Sequence, residues 1–264
     1  MDARTLIDGL GFPESPRWHR GRLYFSDWAS GRVYAVGSDG TAEVVATGTA
    51  MPLCIDFLPD GRLLVVHGTE LLVQQEGRDL VRYADLSALS PYAFNDITVD
   101  PSGTVYVNSV GFDFLGGQPA RPGLVAAVTP EGRVRQVAGD LLFPNGMAIH
   151  DGVLLVAESY GERITAFDIA PDGDLGPGRT WAETPGHHPD GICVAPDGTL
   201  WYADVATAQC VNIAMGGETR GVVRLDRGAF ACALGGGVLY VTTNVWDGGI
   251  ETGEARGRLV AVEV

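Results

Sequence analysis

Four short stretches of this 264-residue chain set an oxygen-bearing side chain just ahead of an apolar run. They are Glu14 in Phe12-Pro13-Glu14-Ser15-Pro16, Asn95 in Phe94-Asn95-Asp96-Ile97, Asn145 in Phe143-Pro144-Asn145-Gly146-Met147, and Asp190 in Pro189-Asp190-Gly191-Ile192. Taken singly, Asn-Asp and Asn-Gly are ordinary turn residues. Taken together, a Glu, an Asp and two Asn form a set of hard oxygen donors of charge about −2, with no thiol or imidazole. That set suits Ca²⁺ first, with Zn²⁺, Mn²⁺ or Mg²⁺ as other divalent choices, and water and substrate completing the coordination. Two carboxylates pointed at one place need a cation if both are to stay charged.

Such chemistry requires a fold that gathers distant stretches, and the spacing of turns supplies one. A turn ending in glycine recurs between apolar runs at Gly21, Gly61, Gly103, Gly152, Gly198 and Gly237, at intervals of 40, 42, 49, 46 and 39 residues. Six repeats of about 44 residues fill the chain and fall in the range of β-propeller blades. Glu14, Cys54, Asn145 and Phe230 lie seven residues before their glycines, and Asn95 and Asp190 lie eight before theirs. The six positions are therefore equivalent to within one residue. In a propeller they start the innermost strands and ring one mouth of the central channel.

The runs flanking each turn, such as Arg22-Leu23-Tyr24-Phe25 with Arg32-Val33-Tyr34-Ala35-Val36, read as hairpins without helical period. Asp85-Leu86-Ser87-Ala88-Leu89 is the one stretch with the makings of a helical turn. The expectation is an all-β, six-bladed β-propeller with four-stranded antiparallel blades, a single domain over residues 1–264. Thr5-Leu6-Ile7 and Arg258-Leu259-Val260-Ala261-Val262 share a blade, so that N- and C-terminal strands close the ring and remove free sheet edges. Loops between second and third strands open on the same mouth, including those from Asn108 to Gly123 and from Thr242 to Gly257. They would wall a substrate pocket with Trp28, Phe112, Phe114, Tyr160 and Trp246, which suits an apolar or cyclic small molecule.

Composition narrows the partners. The formal charge of −15, from 33 acidic and 18 basic residues, disfavours nucleic acid and anionic membrane. No apolar run reaches membrane-spanning length, and residues 1–8 lack a basic segment followed by an apolar core, which points to a cytoplasmic protein, monomeric or weakly homo-oligomeric. Cys54, Cys193, Cys210 and Cys232 are scattered and read as core-filling thiols. His187 and His188 read as a solvent loop pair, His19 and His150 as surface residues, and His67 faces the pocket side.

The stretches Phe12-Pro13-Glu14-Ser15-Pro16-Arg17-Trp18, Phe94-Asn95-Asp96, Phe143-Pro144-Asn145-Gly146 and Pro189-Asp190-Gly191-Ile192-Cys193 resemble the signature segments of the senescence-marker-protein, gluconolactonase and luciferin-regenerating family. The resemblance runs over essentially the whole chain and implies a six-bladed propeller with one catalytic divalent cation. It implies Glu14, Asn145 and Asp190 as metal ligands, Asn95 as the residue binding a metal-site water or the substrate, and Asp190 also as general base. Sugar-lactone members similar to regucalcin carry an Arg two residues before the Asn of the Asn-Asp pair. Here that position is Ala93, which, with the aromatic loops, puts a more apolar lactone or ester on an equal footing with a sugar lactone.

The reading is a divalent-metal-dependent hydrolase of a small lactone or related cyclic ester. The cation acts as Lewis acid on the carbonyl, and Asp190 takes the water proton or attacks directly. Organophosphate hydrolysis or a biosynthetic reaction on the same site is an alternative, as is a propeller that binds a small molecule without catalysis. No Gly-x-Ser-x-Gly surrounds Ser15, Ser26 or Ser159.

Overall fold

A computed structural model of the chain describes residues 3–37, 40–75, 79–246 and 255–264. Strand β1 (Arg4–Leu10) precedes blade one, which comprises β2 (Pro13–His19), β3 (Arg22–Asp27), β4 (Arg32–Val36) and β5 (Ala42–Thr47). Blade two comprises β6 (Ile55–Phe57), β7 (Leu63–His67), β8 (Glu70–Gln74) and β9 (Leu80–Asp85). Blade three comprises β10 (Ile97–Val99), β11 (Val105–Ser109), β12 (Gly123–Val128) and β13 (Val134–Leu141). Blade four runs β14 (Pro144–His150), β15 (Val153–Glu158), β16 (Arg163–Asp168) and β17 (Arg179–Glu183). Blade five runs β18 (Pro189–Val194), β19 (Leu200–Asp204), β20 (Gln209–Ile213) and β21 (Thr219–Arg224). Blade six runs β22 (Gly228–Gly235), β23 (Val238–Asn244) and β24 (Gly257–Glu263), with β1 as its outermost strand.

All pairings within blades are antiparallel, and β1 meets β24 with Arg4 opposite Ala261 and Thr5 opposite Val260. The ring therefore closes as the sequence predicts. The turn glycines earn their places, because all six have φ between 76° and 93°, where an L side chain is strained. The helical turn lies elsewhere than expected. Residues 85–89 form a hydrogen-bonded turn, Leu89 N–H to the Leu86 carbonyl, and the 3-10 turn is at Ser159–Gly161.

Burial explains the sequence pattern. The second strand of each blade is covered on both faces by neighbouring blades, so β7, β11, β15 and β19 are buried along nearly their whole length. Outer strands such as β9 and β13 are at most half-covered and carry the polar residues. Six apolar clusters lie among the described residues, one between each pair of adjacent blades. The four thiols are free and fill these seams, with Cys193 Sγ 3.6 Å from Cys232 Sγ between blades five and six. Of the expected Thr242–Gly257 loop, Thr242 to Asn244 belong to β23, and residues 247–254 lie outside the described residues. No helix among the described residues is long and apolar enough to cross a membrane.

Candidate active site

The sites of interest sit where the inner strands are irregular. Register shifts interrupt β2 between Glu14 and Arg17, β14 between Pro144 and Met147, β18 between Pro189 and Ile192, and β22 between Ala229 and Ala231. Each is a bulge that turns one or two residues out of the ladder, a device that re-aims side chains. Ser15 adopts φ 50° in the first of them and is held there by the Ile55 N–H, which donates to its Oγ at 2.9 Å. Asn95 stands two residues ahead of β10, its backbone N–H donating to the Asn108 carbonyl at 2.6 Å.

The result is one pocket at the channel mouth, a hollow of about 10 Å³, the room of a single water-sized sphere. Glu14, Asn95, Asn145 and Asp190, from blades one, three, four and five, all line it, with Trp28 at its side. Asn95 Nδ2 donates to Asn145 Oδ1 at 3.0 Å, and Asn145 Nδ2 lies 3.3 Å from Ser159 Oγ. Ser159 Oγ donates in turn to the Pro189 carbonyl at 2.8 Å, tying the Asn145 side chain to the strand that carries Asp190. Blade six contributes Ala231 where the glycine count expects Phe230. The bulge in β22 moves the register there, and Phe230 packs on Phe12 instead, ring centroids 4.8 Å apart.

Electrostatics single out the two carboxylates. Burial pushes the Glu14 carboxyl up to about 8, with Asp96 adding to the push and the Ser15 N–H and Arg17 opposing it. Asp190 rises well above its ordinary value through burial, then through Glu14, Asp96 and Asp204, while its hydrogen bond from Asn145 works the other way. Each therefore resists ionising, in part because they face like charges. Among the described residues no three His, Cys, Asp or Glu side chains group as a metal cluster. The donors here are two carboxylates and two carboxamides, a mixed oxygen set of the kind that holds a hard divalent cation and that such a cation would relieve of its repulsion.

Of the five aromatic residues expected to wall the pocket, Trp28 alone lines the hollow among the described residues, and the others form a rim of packed rings outside that lining, joined to Trp28 through Phe12. Phe114 is stacked on Trp246 at 6.4 Å and 11°, a contact between blades three and six, which stand opposite each other in the ring. Tyr160 packs on Phe143 at 4.6 Å, and Phe143 on Phe114 at 5.2 Å, which extends the rim across blade four. Phe112, expected as a wall, is 3% exposed and buttresses Phe143 from below. The Trp28 Nε1 is buried with no hydrogen-bond partner among the described residues.

The histidines depart from expectation. His187 Nδ1 lies 2.7 Å from a carboxylate oxygen of the fully buried Asp204, and His188 Nδ1 lies 2.9 Å from the Ser159 carbonyl. A buried carboxylate needs donors, and His187 supplies one, so His187 is tied down while His188 stays exposed. His67 Nε2 accepts from the Thr49 and Ala50 N–H groups and pins a loop. His19 stacks on Phe57 at 4.0 Å, and His150 is half-buried beside Asp151. Sequence reasoning gave no role to Ser159, Phe143 or the Arg17–Asp96 pair, although Arg17 and Asp96 also line the hollow; Ser159 alone had a local signal, since it follows directly on a buried strand.

A family model described as the SMP-30/Gluconolactonase/LRE-like region matches residues 12–245. Pentonolactonase XacC of Haloferax volcanii is 27% identical, over 99% of this chain and 94% of that protein. Among solved structures, a luciferin-regenerating enzyme superposes with TM-score 0.84 at 16% identity, covering 100% of this chain and 95% of that one. A calcium-binding regucalcin from Agrobacterium tumefaciens gives TM-score 0.79 at 16% identity, with 100% and 94% covered. A gluconolactonase from Xanthomonas campestris gives 0.77 at 23%, with 98% and 88% covered. At these identities the structural likenesses speak to fold.

Proposed function

The chain belongs to the SMP-30/gluconolactonase/LRE-like family, and from that membership and the pocket we propose that it is a divalent-cation-dependent hydrolase of a small lactone or related cyclic ester. The observation that carries the reading is the convergence of Glu14, Asn95, Asn145 and Asp190 from four blades on one ion-sized hollow. The lactonases among the relatives support the reaction class.

Glu14, Asn145 and Asp190 would hold the cation, Ca²⁺ first among the candidates, as the calcium-binding regucalcin suggests for its own fold. When bound, the cation supplies Lewis-acid polarisation of the ester carbonyl and charge for the developing oxyanion. Asp190 takes the proton of the attacking water at a carboxylate oxygen. Asn145 keeps Asp190 aimed through their hydrogen bond, and Asn95, fixed by Asn145 Oδ1, presents its own oxygen to the water or the ester. The rim of Phe114, Tyr160 and Trp246 favours a lactone with apolar substituents and keeps bulk water from the acyl group. Ala93 offers no side-chain donor to sugar hydroxyls.

The test is hydrolysis of a panel of sugar, aliphatic and aromatic lactones by metal-stripped protein, with Ca²⁺, Zn²⁺, Mn²⁺ or Mg²⁺ added back. Cation-restored turnover with a preference for apolar lactones is the expected result. Tight cation binding with no turnover across lactones, esters and phosphotriesters would refute it and leave a binding propeller.

A further inference from the structure

One charged link crosses the channel at the pocket itself, and both its partners line the hollow. Arg17, on β2 of blade one, places its Nη2 2.7 Å from Asp96 Oδ1 and 2.8 Å from the Ile97 carbonyl, both on the inner edge of blade three. Its Nη1 donates to the Pro16 carbonyl at 3.0 Å. Blades one and three are not neighbours, so the side chain reaches past blade two rather than along a seam. Asp96 passes the link on: its Oδ2 accepts the Met147 N–H of blade four at 2.7 Å. The Asn108 amide reinforces the same junction, its Oδ1 accepting the Asp96 N–H at 3.2 Å and its Nδ2 donating to the Asn145 carbonyl at 2.6 Å.

Each anchor of this chain of bonds lies next to a pocket residue. Arg17 ends the bulge that displays Glu14, Asp96 follows Asn95, and Met147 follows the Asn145-Gly146 bulge. We propose that Arg17 is a positioning residue, a strut that pins Asp96 and thereby fixes the spacing at which blades one, three and four present Glu14, Asn95 and Asn145. Asp56, which faces Arg17 from blade two, is held instead by the Phe57 and Val99 N–H groups. Burial works against the guanidinium charge, but Asp96 and Asp56 outweigh it, so the strut stays cationic at every working pH.

The inference rests on the proposed cation site, and the sign of one measurement separates a strut from a mere counter-charge. Removing a positive charge from the pocket lining would, by Coulomb's law alone, strengthen binding of a divalent cation. Removing a strut would weaken it, by about 10-fold or more, as for other groups that orient metal ligands. The experiment compares wild type, Arg17→Met and Arg17→Lys by calorimetric titration of Ca²⁺ into stripped protein, at a temperature where each melts cooperatively above the assay. Hydrogen exchange at the Met147 amide is measured alongside. The expected result is weaker Ca²⁺ binding and at least about 10-fold faster Met147 exchange in Arg17→Met, with most of both restored in Arg17→Lys. Equal or tighter Ca²⁺ binding in Arg17→Met would overturn the proposal. If Arg17→Met does not fold, Arg17→Gln, which removes the same positive charge and keeps a shorter polar side chain, decides the same comparison. Should wild type bind no divalent cation, the proposed function fails, and Met147 exchange still judges the strut: unchanged protection in Arg17→Met would sink it.

Discussion

Stripped of divalent cations, this protein should be markedly more stable at pH 5 than at pH 8. An unfolded Glu14 titrates near 4.5, whereas burial in the pocket pushes the folded carboxyl up to about 8. Between those values the folded state keeps a proton that the unfolded state has lost, so stability falls as pH rises through the window. At about 1.4 kcal/mol per decade of proton affinity, the full cost reaches about 5 kcal/mol by pH 8, or roughly 10–20 °C in Tm for a chain of this size. Asp190, raised by burial and by Glu14, adds in the same direction. Asp56 also contributes, but its window closes at about 6. Surface carboxyls such as Asp60, held low by the Arg62 N–H, and Asp197, held low by Thr199, act with the opposite sign and only below about pH 4. Thermal melts in steps from pH 5 to 8.5, with and without saturating Ca²⁺, read the effect directly. The cation should flatten the slope, and Glu14→Gln should reduce the part between pH 6 and 8 in the stripped protein. Stability that is level or rising from pH 6 to 8 without cation would refute the picture of two carboxylates crowded into one buried site.

Three further outcomes follow from named contacts. Asp190→Asn should lower kcat/KM by at least about 100-fold while raising the Tm of the stripped protein, since a buried, repelled carboxyl is replaced by a neutral amide; lactonase kinetics with paired melts check both. Gly146→Ala would set a Cβ 2.5 Å from the Asp190 carbonyl oxygen and 2.6 Å from the Ile192 nitrogen, backbone atoms that cannot turn aside. The seam between blades four and five must open, costing about 1–3 kcal/mol in denaturant unfolding together with a loss of Ca²⁺ affinity in calorimetry. Phe114→Ala, which breaks the stack with Trp246, should raise KM for aromatic lactones by about three- to ten-fold and leave small polar lactones nearly unaffected.

Much of this was readable in the sequence because it is carried by short-range signals. The turn glycines need positive φ whatever surrounds them, so their spacing reports blade length, and counting back from them finds the channel mouth. The count then fails by one residue at Phe230, because a bulge shifts register without leaving a distinctive residue behind. Arg17 looks like an ordinary polar residue of a strand. Its partner Asp96 is 79 positions away on a blade that is not adjacent, a relation that no local pattern encodes. The aromatic loops were expected to wall the pocket, but which ring reaches the hollow and which supports another depends on packing between loops: Trp28 lines it, and Phe112 is buried among its neighbours.

The pairing of β1 with β24 has a consequence for how the protein comes into being. Thr5 waits for Val260. A ribosome adding about 5–20 residues per second needs roughly 12–50 s to make the intervening stretch. Throughout that interval the growing chain is an open fan, with blade six incomplete and sheet edges bare, the condition in which β-proteins associate wrongly. Glu14 and Asp190 are both synthesised well before the end, yet the distance across the channel between them is set when the last strand locks. On the proposed function, acquisition of the cation would then be a late, post-translational event, and a nascent chain halted short of β24 would hold every pocket residue without holding a site.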